Sequence, residues 1–347
     1  VLKADVEVER REFTVRAAIE VAQGERLALF GPSGAGKTTL LESIAGLVRP
    51  TSGTVELAGR TLTRTSKPRV AVPPWQRGVG LLRQDPGLFP HLSVAGNLGY
   101  ARTAAAHRSE LISVADALGI GELLAAMPAR LSGGQQHRVA LGRLLLAHCD
   151  ALLLDEPYSG LDATARRTLT ALVVRLVTER SVPAVLVAHE LADAQAFATR
   201  MAVIDRGVVL QVGDPAEIVL RPASARVAEL VGYLGFAAVT GQEEALPGLV
   251  AGIHPDRVVA GAAPDDGLVL VGTIAAVRPS GAGWETDLQL PGSVVTCRLT
   301  ARPGPIGSQF AVTALNPPLF GSDGAAVKSG AGIRTEGGHD GAAAKAG

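Results

Sequence analysis

The chain has 347 residues, long enough for two domains, and is 47% apolar but only 3% aromatic, so Leu, Val and Ala must fill its cores. Its 33 Lys and Arg balance 33 Asp and Glu, which excludes the broad basic field of a nucleic-acid-binding surface. No apolar stretch is long enough to cross a bilayer, and residues 1–16 are too charged to read as a signal peptide.

In chain order, residues 6–15 read as an edge strand or hairpin. Residues 26–30 are a short apolar run before a glycine loop and predict a buried parallel strand. The spacing of Leu40, Leu41 and Ile44 predicts a helix over 38–47 that stops near Gly46. A turn is expected at 48–53, then strands at 54–57 and 78–82 around the Pro73-Pro74 loop. Residues 85–147 read as mostly helical, punctuated by Pro86, Pro90 and Pro128, and suggest an inserted helical subdomain. Apolar runs at 151–154 and 184–188 have the length of buried strands, and the alternation argues for an α/β core with a parallel sheet.

Asp205-Arg206-Gly207 between 201–204 and 208–210 is a hairpin signal. A helix at 215–220 is expected near the end of a first domain spanning 1–233. Beyond it, strands at 268–278, 284–290, 294–300 and 309–315 separated by Gly/Pro turns predict a small β-barrel or sandwich over 234–320. The Gly-, Ala- and Ser-rich tail, 321–347, is expected to be disordered. Cys149 and Cys297 fit no CxxC or His-paired metal pattern and are expected as reduced core thiols.

Gly31, Pro32, Ser33, Gly34, Ala35, Gly36, Lys37 and Thr38 match G-x-x-x-x-G-K-[ST] between a predicted strand and helix. The glycines let backbone N–H groups turn onto an anion, and the helix points its positive end at the same place. Lys37 can reach outer phosphates, and Thr38 offers a hydroxyl to Mg²⁺. Asp155 ends an apolar strand, where parallel sheets place ligands, and can hold Mg²⁺; Glu156 is placed to orient a water. Ser132 is a natural N-cap for a helix over about 135–148, and Gly133, Gly134 and Gln135 complete a second helix start with bare N–H groups. His189 follows the 184–188 strand, where a histidine can serve packing or meet a γ-phosphate. Gln84 alone carries almost no signal.

Taken together, these strings resemble the nucleotide-binding subunits of ABC transporters over about residues 1–219, with 131–135 similar to the family's signature motif. The resemblance implies a P-loop NTPase core with a helical subdomain at about 85–148, and a C-terminal OB-like domain of TOBE or Mop type. It implies that Gly34, Gly36, Lys37, Thr38 and Thr39 bind ATP phosphates and Mg²⁺, and that Gln84 touches Mg²⁺ or water and faces the membrane subunits. Asp155 would help hold Mg²⁺, Glu156 would polarise the water, and His189 would hold the γ-phosphate. Two copies would pair head to tail, with Ser132 and Gly134 of one facing the ATP on Lys37 of the other, and with the segment 159–162, Asp162 included, touching the opposite copy. His137 stands where relatives often carry Gln or Arg, and Phe13, or Arg10 or Arg11, stands where relatives place an aromatic against adenine.

Strings at 41–53, 72–79, 84–94 and 97–100 resemble importer ATPases for oxyanions, molybdate first; sulfate or thiosulfate, ferric iron, polyamines and sugars are alternatives. The implied machine is a homodimeric ATPase peripheral to the cytoplasmic face of the cell membrane. Its partners would be two integral-membrane permease subunits and, indirectly, an extracytoplasmic solute-binding protein, with no nucleic acid. A soluble ATPase of translation or repair would need a second cassette or a long coiled-coil insertion, and neither is visible. A C-terminal domain that senses the solute is compatible with the motor.

Overall fold

A computed structural model of the chain describes residues 1–100, 108–158, 161–239, 249–261 and 267–327. It divides into two compact units, Val1–Ala216 and Glu217–Gly347.

The first unit is built on strands β1 (Leu2–Glu9), β2 (Thr14–Val21), β3 (Arg26–Phe30), β4 (Ser52–Leu57), β5 (Arg60–Arg64), β6 (Val70–Ala71), β7 (Val79–Leu82), β8 (Ala151–Asp155), β9 (Ala184–Ala188), β10 (Arg200–Asp205) and β11 (Val208–Gly213). Its helices are α1 (Lys37–Ala45), α2 (Val94–Gly99), α3 (Arg108–Ala117), α4 (Gly133–Leu146), α5 (Ala163–Arg180) and α6 (Leu191–Phe197). One sheet runs β6-β5-β4-β1-β2-β11-β10-β3-β9-β8-β7. Its β10-β3-β9-β8-β7 half is parallel, with Leu27 opposite Val185 and Leu153 opposite Val185 from the other side. Strands β8 and β9 are buried along their whole length, as their continuous apolar runs require in a sheet covered on both faces.

Of the two readings of residues 6–15, edge strand or hairpin, the hairpin is the one found. These residues straddle β1 and β2, and β1 lies inside the sheet, paired antiparallel with both β2 and β4. The alternating burial of β1 puts Leu2, Ala4, Val6 and Val8 into the core. The segment 85–147 contributes α2, α3 and α4, with 3₁₀ turns between α3 and α4; residues 101–107 lie outside the described residues. Helix α5 has no counterpart among the sequence expectations. Asp162 starts it, and Leu169, Leu172, Val173, Leu176 and Val177 form its buried stripe.

The second unit carries α7 (Pro215–Leu220, which begins just before it), α8 (Ala225–Leu230) and strands β12 (Phe236–Ala238), β13 (Val250–Gly252), β14 (Val258–Ala260), β15 (Gly267–Ser280), β16 (Gly283–Leu290), β17 (Ser293–Leu299), β18 (Gln309–Leu315), β19 (Leu319–Phe320) and β20 (Ala326–Val327). These form antiparallel sheets β12-β13-β19-β20 and β14-β18-β15-β16-β17, an open half-barrel consistent with a TOBE-like domain. Ile253, Ile274, Leu288, Val295 and Cys297 sit in its core. Of the expected tail, β20 pairs with β19, and residues 328–347 lie outside the described residues. Both cysteines are free; Cys297 is buried and Cys149 half-buried.

Candidate functional site

The loop from Gly31 to Gly36 joins the end of β3 to α1. Two of its glycines are fixed by contact. A Cβ on Gly31 would stand 2.0 Å from the Ile204 carbonyl oxygen, and one on Gly36 would stand 2.6 Å from Val15 Cγ2. Gly36, at φ +99°, is the N-cap of α1 and brings no side chain to cap it. The first amides of α1 therefore face the loop as an anion site.

Lys37 is 4% exposed. Its Nζ folds back and donates to the carbonyls of Gly31 and Pro32, each at 2.7 Å. Burial pulls its pKa down to about 8, opposed by the charges of Glu156 and Asp155.

Asp155 closes β8 at the carboxyl edge of the parallel sheet and is buried. Burial pushes its carboxyl upward, and a hydrogen bond from the Thr38 side chain pulls the other way. Its Oδ1 is buried without a partner. Glu156 comes next, with its backbone in the left-handed region at φ +50°. Its Oε1 is in direct hydrogen-bonding contact with Nε2 of His189, which follows β9.

Ser33, Gly34, Ala35, Gly36, Lys37, Thr38, Thr39, Gln84, Glu156 and His189 line one cleft of about 530 Å³, together with Arg10, Arg11, Glu12 and Phe13 from the β1–β2 hairpin tip. Segments far apart in sequence thus converge on a volume suited to a nucleotide. Gly31, Pro32 and Asp155 do not line the cleft but hold residues that do: Gly31 and Pro32 accept from Lys37, and Asp155 accepts from Thr38. Ser132, Gly133, Gly134, Gln135 and Asp162 do not line this cleft.

Ser132 caps α4, as its sequence position predicts, but the helix start is less bare than expected. The Gln135 amide donates to Ser132 Oγ at 3.3 Å, and the Ser132 amide donates to Gln135 Oε1 at 2.8 Å, a closed capping box. Asp162 caps α5, accepting from the amides of Thr164 and Ala165 at 2.9 Å each, and these bonds hold its carboxyl low. Ser159 and Gly160 lie outside the described residues.

Sequence reasoning missed what fixes the hairpin tip over the cleft. Arg10 Nε donates to Thr39 Oγ1 at 3.0 Å, and its NH2 lies 3.9 Å from Glu42. No local spacing marks a pair 29 residues apart. Phe13 leans on the P-loop and on the β10–β11 turn: a Cβ on Gly36 would come within 3.4 Å of its ring and one on Gly207 within 2.9 Å.

This arrangement defines the class: a P-loop α/β core with the ABC ATPase fold, carrying a C-terminal half-barrel. Residues 16–159 match the family described as ABC transporter. The chain is 43% identical over 223 residues to the molybdenum import ATP-binding protein ModC of Mesorhizobium japonicum, covering 63% of this chain and 60% of that protein. It is 40% identical over 248 residues to the sulfate/thiosulfate import ATP-binding protein CysA 2 of Chromobacterium violaceum, covering 70% and 66%. It is also 40% identical over 218 residues to the Fe(3+) ions import ATP-binding protein FbpC of Pseudomonas fluorescens, covering 62% and 61%. Each match spans less than two thirds of the relative's own length. Among solved structures, a dimeric post-hydrolysis ATP-binding cassette bound to ADP and Pi superposes with a TM-score of 0.52 at 26% identity, covering 62% of this chain and 99% of that one. A bacterial Atm1-family ABC exporter with ATP bound gives 0.56 at 26% identity, covering 66% and 41%.

Proposed function

We propose that the chain is the ATP-hydrolysing subunit of an ABC importer, acting as a homodimer on the cytoplasmic face of the membrane. Within it, residues 1–233 would be the ATPase domain, with a helical subdomain at about 85–148, and 234–320 an accessory domain. The observation that carries the reading is the convergence of the P-loop, Gln84, Glu156 and His189 on one cleft. Among the described residues no helix is long and apolar enough to cross a membrane, so a membrane role runs through partner subunits.

The donor set fits Mg²⁺. Thr38 and Asp155 present hard oxygen ligands, and the unpartnered Oδ1 of Asp155 is the kind of buried acceptor a cation satisfies. Among the described residues no group of three or more His, Cys, Asp or Glu could hold a metal, so the ion would share its sphere with the nucleotide phosphates. Bound there, Mg²⁺ would neutralise charge on the phosphates.

The chain's own residues would do the rest. Amides at the start of α1 and the ammonium of Lys37 hold the phosphates, which requires Nζ to leave the Gly31 and Pro32 carbonyls. Glu156 orients the attacking water and draws on its proton, while His189 fixes the Glu156 carboxylate and meets the γ-phosphate. Gln84, exposed at the mouth, meets the ion or the water and faces the membrane partners. Ser132, Gly134 and the Asp162 segment complete the nucleotide site of the second copy.

Molybdate is the proposed solute, supported by the molybdenum import relative at 43% identity. Relatives named for sulfate/thiosulfate and Fe(3+) import at 40% keep those solutes as the second reading. The reading is tested by steady-state hydrolysis of MgATP by the full chain and by Glu156→Gln. The substitution is expected to keep nucleotide binding and lower kcat by about 100-fold or more; unchanged turnover would remove Glu156 from the chemistry. Uptake of labelled molybdate, sulfate and ferric iron by vesicles holding the chain and its co-encoded membrane subunits decides the solute.

A further inference from the structure

Arg10, at the tip of the hairpin between β1 and β2, is fixed at both its backbone and its side chain. Its amide donates to the Phe13 carbonyl at 3.1 Å and closes the two-residue tip Arg11-Glu12. Its guanidinium is held from α1 by Thr39 at 3.0 Å and by Glu42 at 3.9 Å. Thr39 stands in the first turn of α1, whose amides face the P-loop, and Thr39 and Arg10 line the same cleft.

The manner of this hold leaves a donor over. Nε and NH2 form one edge of the guanidinium plane, and that edge is turned to Thr39 and Glu42. Among the described residues nothing bonds the NH1 end, and the side chain is 40% exposed. Glu42 does not neutralise the group. Its Oε1 also accepts from NH2 of Arg83 at 3.2 Å, so two guanidiniums share one carboxylate and the trio keeps a net positive charge. Arg11 and Glu12, beside it on the tip, cancel in charge. A cation oriented in advance beside the turn of Lys37 and Thr38 suits an oxyanion, and its ordering cost is met before the ligand binds. A charge-assisted bond to a phosphate oxygen is also stronger than an exposed guanidinium laid over a base.

We propose that Arg10 is a further phosphate ligand of the nucleotide site: its NH1 end reaches an oxygen of the phosphates gathered by Lys37, and Glu42 is the residue that positions it. This assignment rests on the ATPase reading above and deepens it. The hairpin tip then acts as an anion clamp. The affinity gained through Arg10 is the same whichever base the nucleotide carries, and salt screens it.

The test is calorimetric titration of the full-length protein with ADP, GDP and inorganic tripolyphosphate, each with Mg²⁺, at low and high KCl. It compares wild type with Arg10→Ala, Arg10→Gln and Arg10→Lys. Gln keeps a donor for Thr39 without the charge; Lys keeps the charge without the fork. Ala and Gln are expected to weaken all three ligands by about tenfold or more at low salt, with the three losses agreeing within about threefold and shrinking at high salt. Lys is expected to recover part of the loss. A residue that merely shapes the hairpin would behave otherwise, with Gln restoring at least as well as Lys and the loss indifferent to salt. That result overturns the proposal. So does a loss confined to ADP and GDP, which would put Arg10 on base or ribose, and so do unchanged affinities or a wild type that binds ADP but not tripolyphosphate. Each of these leaves the ATPase reading intact, whereas a wild type that binds none of the three ligands overturns both. Should Ala fail to fold, the comparison of Gln with Lys still decides.

Discussion

Lys37 shows at the residue scale how a motif can be legible while its energetics are not. The G-x-x-x-x-G-K-[ST] string announces the lysine, but nothing local says that its ammonium is buried on two carbonyls in the absence of phosphate. A pKa lowered from 10.5 to about 8 makes the ligand-free fold sensitive to alkaline pH. Below about pH 8 both folded and unfolded chains carry the proton, and the burial penalty is fully present. Between about pH 8 and 10.5 the unfolded chain binds more protons, so stability rises with pH. The rise is at most about 3 kcal/mol. Urea midpoints of the ligand-free chain at pH 7.5 and pH 10 should show this gain, and Lys37→Met should lack it. The same variant should lose ATP-induced thermal stabilisation. Equal pH responses in the two chains would place the perturbed group elsewhere. His189 and Gln84 are weaker cases: their residue types alone point nowhere, and only the family resemblance, with Gln84 between the P-loop and Asp155 and His189 after both, singles them out; the cleft then brings them together.

The helix after the P-loop illustrates what an element needs beyond its own pattern. Leu40, Leu41 and Ile44 predict α1, and Gly46 at φ +84° ends it. Its last carbonyls, however, are met from outside. Arg77, 5% exposed, donates from NH1 to Ser43 O at 3.3 Å and Ile44 O at 2.8 Å, from Nε to Val72 O at 2.8 Å and from NH2 to Thr63 Oγ1 at 2.9 Å. The guanidinium is held by neutral oxygens, and burial lowers its pKa. This fork cannot be copied by an ammonium. Arg77→Ala should destabilise the first unit by about 2–4 kcal/mol, and Arg77→Lys should recover less than half of that in urea unfolding. Full recovery by lysine would mean that charge, not geometry, holds the end of α1. Arg77 was invisible in the sequence because its partners lie on three other segments. Helix α5 was missed for a different reason. Its buried stripe includes the polar Thr170 and is flanked by arginines, and the sequence reading gives Asp162 only to contact with the opposite copy, leaving its N-cap chemistry unused. The strands were easier, because buried parallel strands write continuous apolar runs.

For the whole molecule, the two units have separate apolar cores, one around Leu27, Leu153 and Val185 and the other around Ile274, Leu288 and Val295. The change from α/β alternation to short strands with Gly/Pro turns made both legible. The solute was not, because the phosphate-handling motifs carry no information about what is transported. What the first unit lacks is equally informative. Its own nucleotide cleft contains no residue from 132–135, yet α4 presents a second capped helix start in the same chain. On the proposed reading one copy would hold halves of two different sites, and head-to-tail pairing would complete both. Glu156→Gln should expose this: with MgATP it should shift from monomer to dimer in light scattering, tightening self-association by at least about tenfold, and Ser132→Arg in the same background should cancel the shift while leaving ADP affinity within about threefold. Wild-type protein that turns over MgATP briskly, yet stays monomeric and shows the same specific activity at every concentration, would mean each cleft works alone. The roles given to Ser132 and Gly134 would fall with that result, while the assignments of Lys37, Asp155 and Glu156 would stand.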